Sequence, residues 1–536
     1  MTTRSNERTG RVSRRDLIKG AAAGAAIAAG GGILPGSASA KPQHGSGNGD
    51  LALVNGKFVD GNGIVANAIT IKNGRIVNVG QAMALGPDAK VTNLKGRTVI
   101  PGLFDGHVHY IRAGQNPGHT VRTIETAFSI AELQEAISRG AGSAPLGEFI
   151  TCVGGWNQNQ FAEMRLPTKA ELDEAAPGHP VYISGSGGGA QGVVNSSGQT
   201  FMVASGVGVD DASGVVSSRN AALAALRAVQ TPEDRLRGVG DNDAYANSLG
   251  LTSVLDTRGG FTDPSFWEFP LEIWRQGKLT VRHRVNREAP TPEDAETIIL
   301  NNFRGLGDDM FRLLGLGERI GVRDGSTFEP VARVIAQHGW KLQQHASTVD
   351  EANSFIAAMQ SITLDHPIDG LRWQLLHNFA ITFAQLQALS ALGVGVDVEN
   401  QRYLSTSSGG PPFRLVVDSG IRAGAGTDST NVAPLNPWLA LFYMTTGRNL
   451  AGNLTNDGQQ ISRLEALRLY TEGSAYFGFD EDKVGSFEVG KYADLAVLSE
   501  DYLTVPEDRI RRIESVLTLL GGKVVHAVGP FSHLAA

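Results

Sequence analysis

The amino-acid sequence predicts an α/β protein in which two β-rich ends enclose a long middle of alternating strands and helices. Three observations carry this expectation. Short apolar runs broken by Asn-Gly turns begin at Leu51, runs of the same style broken by Gly521-Gly522 close the chain, and residues 101–479 alternate apolar runs with helical stretches. Strand-then-helix alternation argues for parallel strands joined by crossover helices. No internal repeat is visible, which weighs against a solenoid or propeller.

The ends come first. Residues 51–54 and 57–59 flank Asn55-Gly56, and 68–72 and 75–79 flank Asn73-Gly74, so each pair reads as a hairpin. At the other end 492–498 reads as a strand, and 515–520 with 523–527 as a hairpin. Neither end is large enough alone, so 51–100 and 480–536 are expected to pack as one composite β-sandwich. In the middle, candidate strands begin at Leu103, Phe149, Val181, Thr252, Leu279, Phe311, Lys341, Trp373, Gly393 and Ala423. Helical patterns at 130–139, 331–338, 349–359 and 383–392 lie between several of them. These are more strands than one barrel needs. Residues from 129 to about 240 are therefore assigned to an insertion, expected to cap the site.

Residues 1–40 read as a targeting segment rather than fold. A basic stretch ends in Ser13-Arg14-Arg15-Asp16-Leu17-Ile18-Lys19, a weakly apolar run of Ala and Gly follows, and Ala38-Ser39-Ala40 is an A-x-A-like cleavage site. The paired arginines resemble a twin-arginine signal, with Leu17 where phenylalanine is usual. The expectation is export of a folded protein, periplasmic or secreted. Residues 20–34 are too short and glycine-rich to span a bilayer stably, so no membrane anchor is expected once the signal is removed.

Composition narrows the function. The chain has 536 residues, of which 41% are hydrophobic and 19% charged, enough to bury sizeable cores. The leader holds six basic and two acidic residues, so its loss takes the formal charge from -7 to -11. An acidic body without a basic tract is a poor partner for nucleic acid, and a small-molecule substrate is expected instead. One cysteine, Cys152, excludes an intrachain disulfide and any thiolate zinc cluster.

Five residues carry the chemistry. His107 and His109 end the first middle strand, and i and i+2 project to one side of a strand. His345 ends the run 341–345, His377 ends 373–377, and Asp428 follows a Gly-Ala-Gly run. His345 alone would be an ordinary core histidine and Asp428 alone a turn aspartate. Each at a strand end, in one β/α chain, they point to a shared divalent metal, with zinc suited to imidazole and carboxylate ligands. Tyr110 and Trp156 stand near strand ends and are candidate substrate contacts. Cys152 reads as inert core.

These residues carry a resemblance. Pro101-Gly-Leu-Phe-Asp-Gly-His107-Val-His109 is similar to the signature of the metal-dependent amidohydrolase superfamily. The stretch from Gly485 to Asp494 and the following Leu-Ala-Val-Leu resembles the family's return into its β-sandwich. Gly154-Gly-Trp156-Asn, with the spacing of His345, His377 and Asp428, resembles the branch of N-substituted formamide deformylases, of amidohydrolase family 3 type. The resemblance spans nearly all of the chain after the leader. It implies a distorted (β/α)8 TIM barrel over 101–479 beside the sandwich, and a metal-activated water attacking an electrophilic carbon. By position, His107 and His109 would be first-strand ligands, His345 the fifth-strand ligand, His377 the sixth-strand histidine and Asp428 the eighth-strand aspartate that takes the water's proton.

The sequence departs from the branch twice. Relatives have a lysine near the fourth strand, often carboxylated to bridge two metals; the matching stretch here reads Arg312-Leu-Leu-Gly-Leu-Gly317, and arginine forms no carbamate. Relatives also have a histidine where Ala190 stands. One ion rather than two is therefore expected, held by His107, His109, His345 and Asp428, with His377 polarising the substrate and Arg312 pointing into the barrel mouth as a substrate contact. The expected activity is hydrolysis of a non-peptide C–N bond in an amide, carbamate or cyclic amide. Alternatives are a deaminase on the same one-metal scaffold, or a binding protein on a decayed scaffold, the latter suggested by Arg312 and Ala190. The five intact site residues favour an enzyme.

Overall fold

The computed structural model describes residues 51–80, 89–186, 191–258, 265–321 and 326–535. The expected leader and Ala190 lie outside these.

Eight strands form the barrel: β1 (Leu103–Val108), β2 (Leu251–Asp256), β3 (Arg282–Ala289), β4 (Phe311–Ile320), β5 (Lys341–Ala346), β6 (Gln374–His377), β7 (Gly395–Glu399) and β8 (Ala423–Gly426). Every pairing from β1 to β8 is parallel and in chain order. Helices Ser265–Arg275, Pro292–Leu300, Phe328–Gln337, Val349–Thr363, Phe383–Ala391 and Phe413–Ser419 alternate with the strands from β2 to β8. Their apolar faces cover the barrel, which explains why β1, β2, β6 and β7 are buried at every position. The ring closes where the Asp428 N–H donates to the His107 carbonyl at 2.8 Å. Gly426 makes this approach possible, because a Cβ there would lie 2.4 Å from the His107 nitrogen.

Ten candidate strands thus resolve into eight barrel strands and two others. Ile150–Val153 and Val181–Ser184 lie with His119–Thr120 and Gly192–Val194 in a separate four-stranded sheet between β1 and β2. This excursion has its own core of Leu133, Ile150, Trp156, Phe161 and Val181. Cys152 is buried there, and burial pushes its thiol up to about 12.

The chain ends share a sheet. Thr98–Pro101 pairs antiparallel with Leu495–Leu498, Ile100 opposite Ala496. The six-stranded sheet that contains them faces a four-stranded sheet of Arg75–Gly80, Ala68–Lys72, Leu51–Val54 and Lys90–Asn93. Phe58, Ile69, Val99, Leu495, Leu517 and Leu519 fill the space between. Alternation does the sorting: Leu517 and Leu519 enter this core, while the Thr518 hydroxyl turns the other way and donates to the Asn247 carbonyl at 2.6 Å, beside the barrel. One hairpin expectation fails. Asn55-Gly56 does not join paired strands; Leu51–Val54 pairs in one sheet and Lys57–Asp60 in the other. The turn carries the chain between layers because Leu53 and Phe58 fill one core from opposite sides. The hairpins at Asn73-Gly74 and Gly521-Gly522 form as expected.

Candidate metal centre

Each chemistry-bearing side chain sits at the carboxyl end of a barrel strand, where barrel enzymes place their active sites. His107 is the penultimate residue of β1 and His109 follows its end by one, Glu318 lies near the end of β4, His345 near the end of β5, and His377 and Glu399 are the last residues of β6 and β7. Asp428 follows β8 by two residues. Two of these backbones are held in the left-handed region, His377 at φ 70° and Asp428 at φ 54°. Such conformations are costly for side-chain-bearing residues and collect at functional sites.

Asp105 explains the Asp-Gly-His spacing of the first strand. Buried, it accepts from the Thr427 hydroxyl at 2.6 Å, the Thr427 N–H at 3.0 Å and the His107 N–H at 3.2 Å. It therefore staples the segment carrying Asp428 to the segment carrying His107. Burial raises the Asp105 carboxyl to about 7 against those hydrogen bonds.

The donor atoms converge. His109 Nε2 lies 3.0 Å and His107 Nε2 3.5 Å from Asp428 Oδ1, and His109 Nε2 lies 3.5 Å from Glu318 Oε2. The other Glu318 oxygen faces His345 Nδ1 at 2.8 Å and His377 Nε2 at 3.2 Å. Behind them Glu399 Oε1 is 3.0 Å from His107 Nδ1, and Oε2 is 3.2 Å from His377 Nδ1. The five residues singled out in the sequence are thus gathered around one centre, together with two carboxylates that were not.

Electrostatics divides the imidazoles into two pairs. Burial disfavours charge on all of them. Glu399 and the facing carboxylates outweigh it at His107, whose pKa is well raised, and at His377, pushed up to about 9. At His109 burial and the Arg112 charge lower the pKa, and at His345 burial and the His377 charge do so. Burial also opposes ionisation of Asp428 and Glu318, yet their histidine partners hold both carboxyls well below the usual range.

The donor set fits a divalent metal. Zinc bonds of about 2.0–2.1 Å imply ligand-to-ligand edges of about 3.4 Å in a tetrahedron. His107, His109 and Asp428 bring donor atoms to 3.0–3.5 Å of one another across Asp428, while Glu318, 3.5 Å from His109, groups with His107 and His377. His345 is not in that group; it stands across Glu318. The cavity above has a volume of about 630 Å³ and is bordered by His109, Glu318, His345 and Asp428. That is room for a small molecule. His377 does not border it: it is fully buried, with both ring nitrogens against carboxylates, and the imidazoles that border the cavity are His109 and His345, the latter with Nε2 3.0 Å from Ser347 Oγ.

Three expected substrate contacts stand elsewhere. Arg312 is the second residue of β4, at the foot of the barrel, and donates to Asp480 at 3.2 Å and Asp309 at 2.5 Å. The aligned stretch stopped one residue short of Glu318, the side chain that does reach the mouth. Tyr110 turns away, its hydroxyl donating to Asp243 at 2.9 Å. Trp156 is buried against Phe161 in the excursion's core. Its neighbour Asn157 borders the cavity, and Gly154 packs so closely on the segment after Asp428 that a Cβ there would lie 1.9 Å from the Thr430 carbonyl oxygen. Glu318 and Glu399 did have a signal: each ends an apolar run, as the histidines do.

A barrel with imidazoles and carboxylates at its carboxyl mouth, flanked by a sandwich from both termini, defines a class of metal-dependent hydrolases, and the comparisons agree. The amidohydrolase family matches residues 90–526, and the chain belongs to it. It is an enzyme, a hydrolase of a class that acts on carbon–nitrogen bonds. It is similar to N-substituted formamide deformylase of Arthrobacter pascens, 24% identical over 88% of this chain and 97% of that one. In fold it resembles a metal-dependent hydrolase from Pyrococcus horikoshii (TM-score 0.58, 20% identity, 86% of this chain and 99% of that one). It also resembles atrazine chlorohydrolase from Arthrobacter aurescens TC1, solved with zinc (TM-score 0.51, 15% identity, 89% and 95%).

Proposed function

We propose that the protein is an exported amidohydrolase that uses one zinc ion to hydrolyse a non-peptide C–N bond in a small amide, carbamate or cyclic amide. The observation that carries this is the donor cluster of His107, His109 and Asp428, with Glu318 3.5 Å from His109, beneath a cavity of small-molecule size. These four residues would hold the metal. A metal there supplies Lewis acidity and lowers the pKa of attacking water. Asp428, with one oxygen at the donors and the other toward Gln401, takes the proton from water and returns it to the departing nitrogen. His345, at the cavity wall, donates to the oxygen that gains charge as the carbon becomes tetrahedral. Glu399 holds His107 and His377 by their Nδ1 atoms and so presents Nε2 of each to the centre.

A second reading has a specific observation behind it. Glu318 places one oxygen on each donor set, as a carboxylate bridging two ions would, with His345 and His377 as ligands of the second. The two readings differ by one equivalent of metal. The activity is tested with a panel of N-substituted formamides, carbamates, cyclic amides and amino-heteroarenes on metal-loaded protein. Amine release from an acyl compound supports the proposal. Turnover confined to ring amino groups, with ammonia released, would make it a deaminase.

Export rests on Arg14-Arg15 and Ala38-Ser39-Ala40. The mature protein recovered outside the cytoplasm should begin at Lys41. An intact amino terminus on that material would refute processing there.

A further inference from the structure

Four arginines border the cavity, Arg112, Arg258, Arg319 and Arg402, against two carboxylates, Glu318 and Asp428. This is a cationic chamber in a protein whose formal charge is -7. The cations are not equivalent. Arg258 is committed to Glu288 at 2.6 Å. Arg112 is half-buried, its charge falling on Asp428 and Asp256, and desolvation draws its pKa down to about 10. Arg319 and Arg402 differ: among the described residues no carboxylate lies within 4.0 Å of either.

Their placement is specific. Arg319 follows Glu318 on β4. Arg402 lies in the turn Gln401–Leu404 after β7, its guanidinium 5.4 Å from the Phe379 ring centroid, next to Gln401, which contacts both His377 and Asp428. Each cation is therefore one residue away from a side chain of the centre. Asn157, Asn159 and Asn431 add amide donors and acceptors to the same wall. Guanidinium groups at a cavity wall match a carboxylate with paired donors. A divalent ion offset by Asp428 and Glu318 would leave Arg319, whose charge also reaches Glu288, and the exposed Arg402 as the cations of the wall with no ion-pair partner within 4.0 Å among the described residues.

Resting on the hydrolase reading above, we propose that the substrate is an anion: an N-acyl or N-carbamoyl compound carrying a carboxylate, whose counter-charge is supplied by Arg319 and Arg402. The neutral N-alkylformamides are then the poorer substrates.

The test separates binding from turnover. Phenylacetate and phenylacetamide are titrated calorimetrically into metal-loaded protein, and N-formyl amino acids are compared with their carboxamides as substrates. Phenylacetate should bind at least tenfold more tightly. The double variant R319Q/R402Q should lose that preference, while R319K/R402K retains most of it. In the substrate series the same double variant should raise KM for the carboxylates about tenfold and leave the carboxamides near their original values. Equal binding of the two phenyl compounds would overturn the proposal. So would a preference that survives in R319Q/R402Q, because the metal alone would then explain it. A carboxylate preference that depends on the arginines, without turnover of any acyl compound, would uphold this proposal and refute the hydrolase reading.

Discussion

Asp428 and Glu318 face each other across the imidazoles, but the structure gives them different neighbours and therefore different work. Asp428 stands with His107 and His109, at the point where water and metal would meet. The Asp428→Asn variant should keep the fold and lose about 10²–10⁴-fold in kcat, the range a positioned acid–base group provides. Full activity in that variant would assign the proton transfer elsewhere. Glu399 does not border the cavity above the centre and acts through the histidines. Glu399→Ala should weaken metal affinity about 10–100-fold, read by competition with a chelator, with the folded spectrum unchanged. At this scale the histidines and Asp428 were legible because each ends an apolar run. Glu318 and Glu399 end such runs too, but carboxylates are common at strand ends and imidazoles are not. Arg312 was misplaced because an alignment without the register of β4 put the wrong end of the strand at the mouth.

The elements were legible where hydrophobic pattern and capping agree. Thr348 with Glu351, Thr382 with Gln385 and Ser462 with Glu465 all form reciprocal capping boxes at helix starts. Glu465 also receives Arg414 through two bonds of 3.0 Å, tying the helix Phe413–Ser419 to the helix Arg463–Arg468. The Arg414 hydrogen bonds hold the Glu465 carboxyl down at about 2. A folded-state pKa below the unfolded value stabilises above the unfolded pKa and is lost as pH falls toward the folded one. Glu465→Gln should therefore cost about 0.5–1 kcal/mol at pH 7 in denaturant titrations, a modest figure for a partly exposed pair. That difference should shrink between pH 5 and pH 2. A difference independent of pH would mean that the charge contributes nothing. The failed hairpin at Asn55-Gly56 shows the limit of local signals: turn chemistry fixes a bend, while the shared core decides which strands pair.

At the scale of the molecule, buried ions join the barrel's foot to the chain's return. Arg282 of β3 donates to Asp494 at 2.6 and 3.1 Å, and the Gly521 N–H reaches the same carboxylate at 2.6 Å. Arg284 and Arg312 converge on Asp480. Asp494→Ala would leave Arg282 buried without its partner and should cost about 3–5 kcal/mol of stability. A loss below 1 kcal/mol would show that the two layers hold together by apolar packing alone. The alternation of strands and helices announced the barrel, and similar hairpins at both ends announced the sandwich, because each layer must bury a face of its own period. What the sequence withheld is which side chains meet across several hundred residues, and that depends on closure of the ring between β1 and β8. The central claim is that closure assembles one metal centre from His107, His109, Asp428 and Glu318. Metal analysis of the purified wild-type protein beside His109→Ala tests it most directly. The account predicts one equivalent of zinc in the wild type and little in the variant; two equivalents would contradict the single ion, and none after loading, or an undiminished content in His109→Ala, would contradict the site.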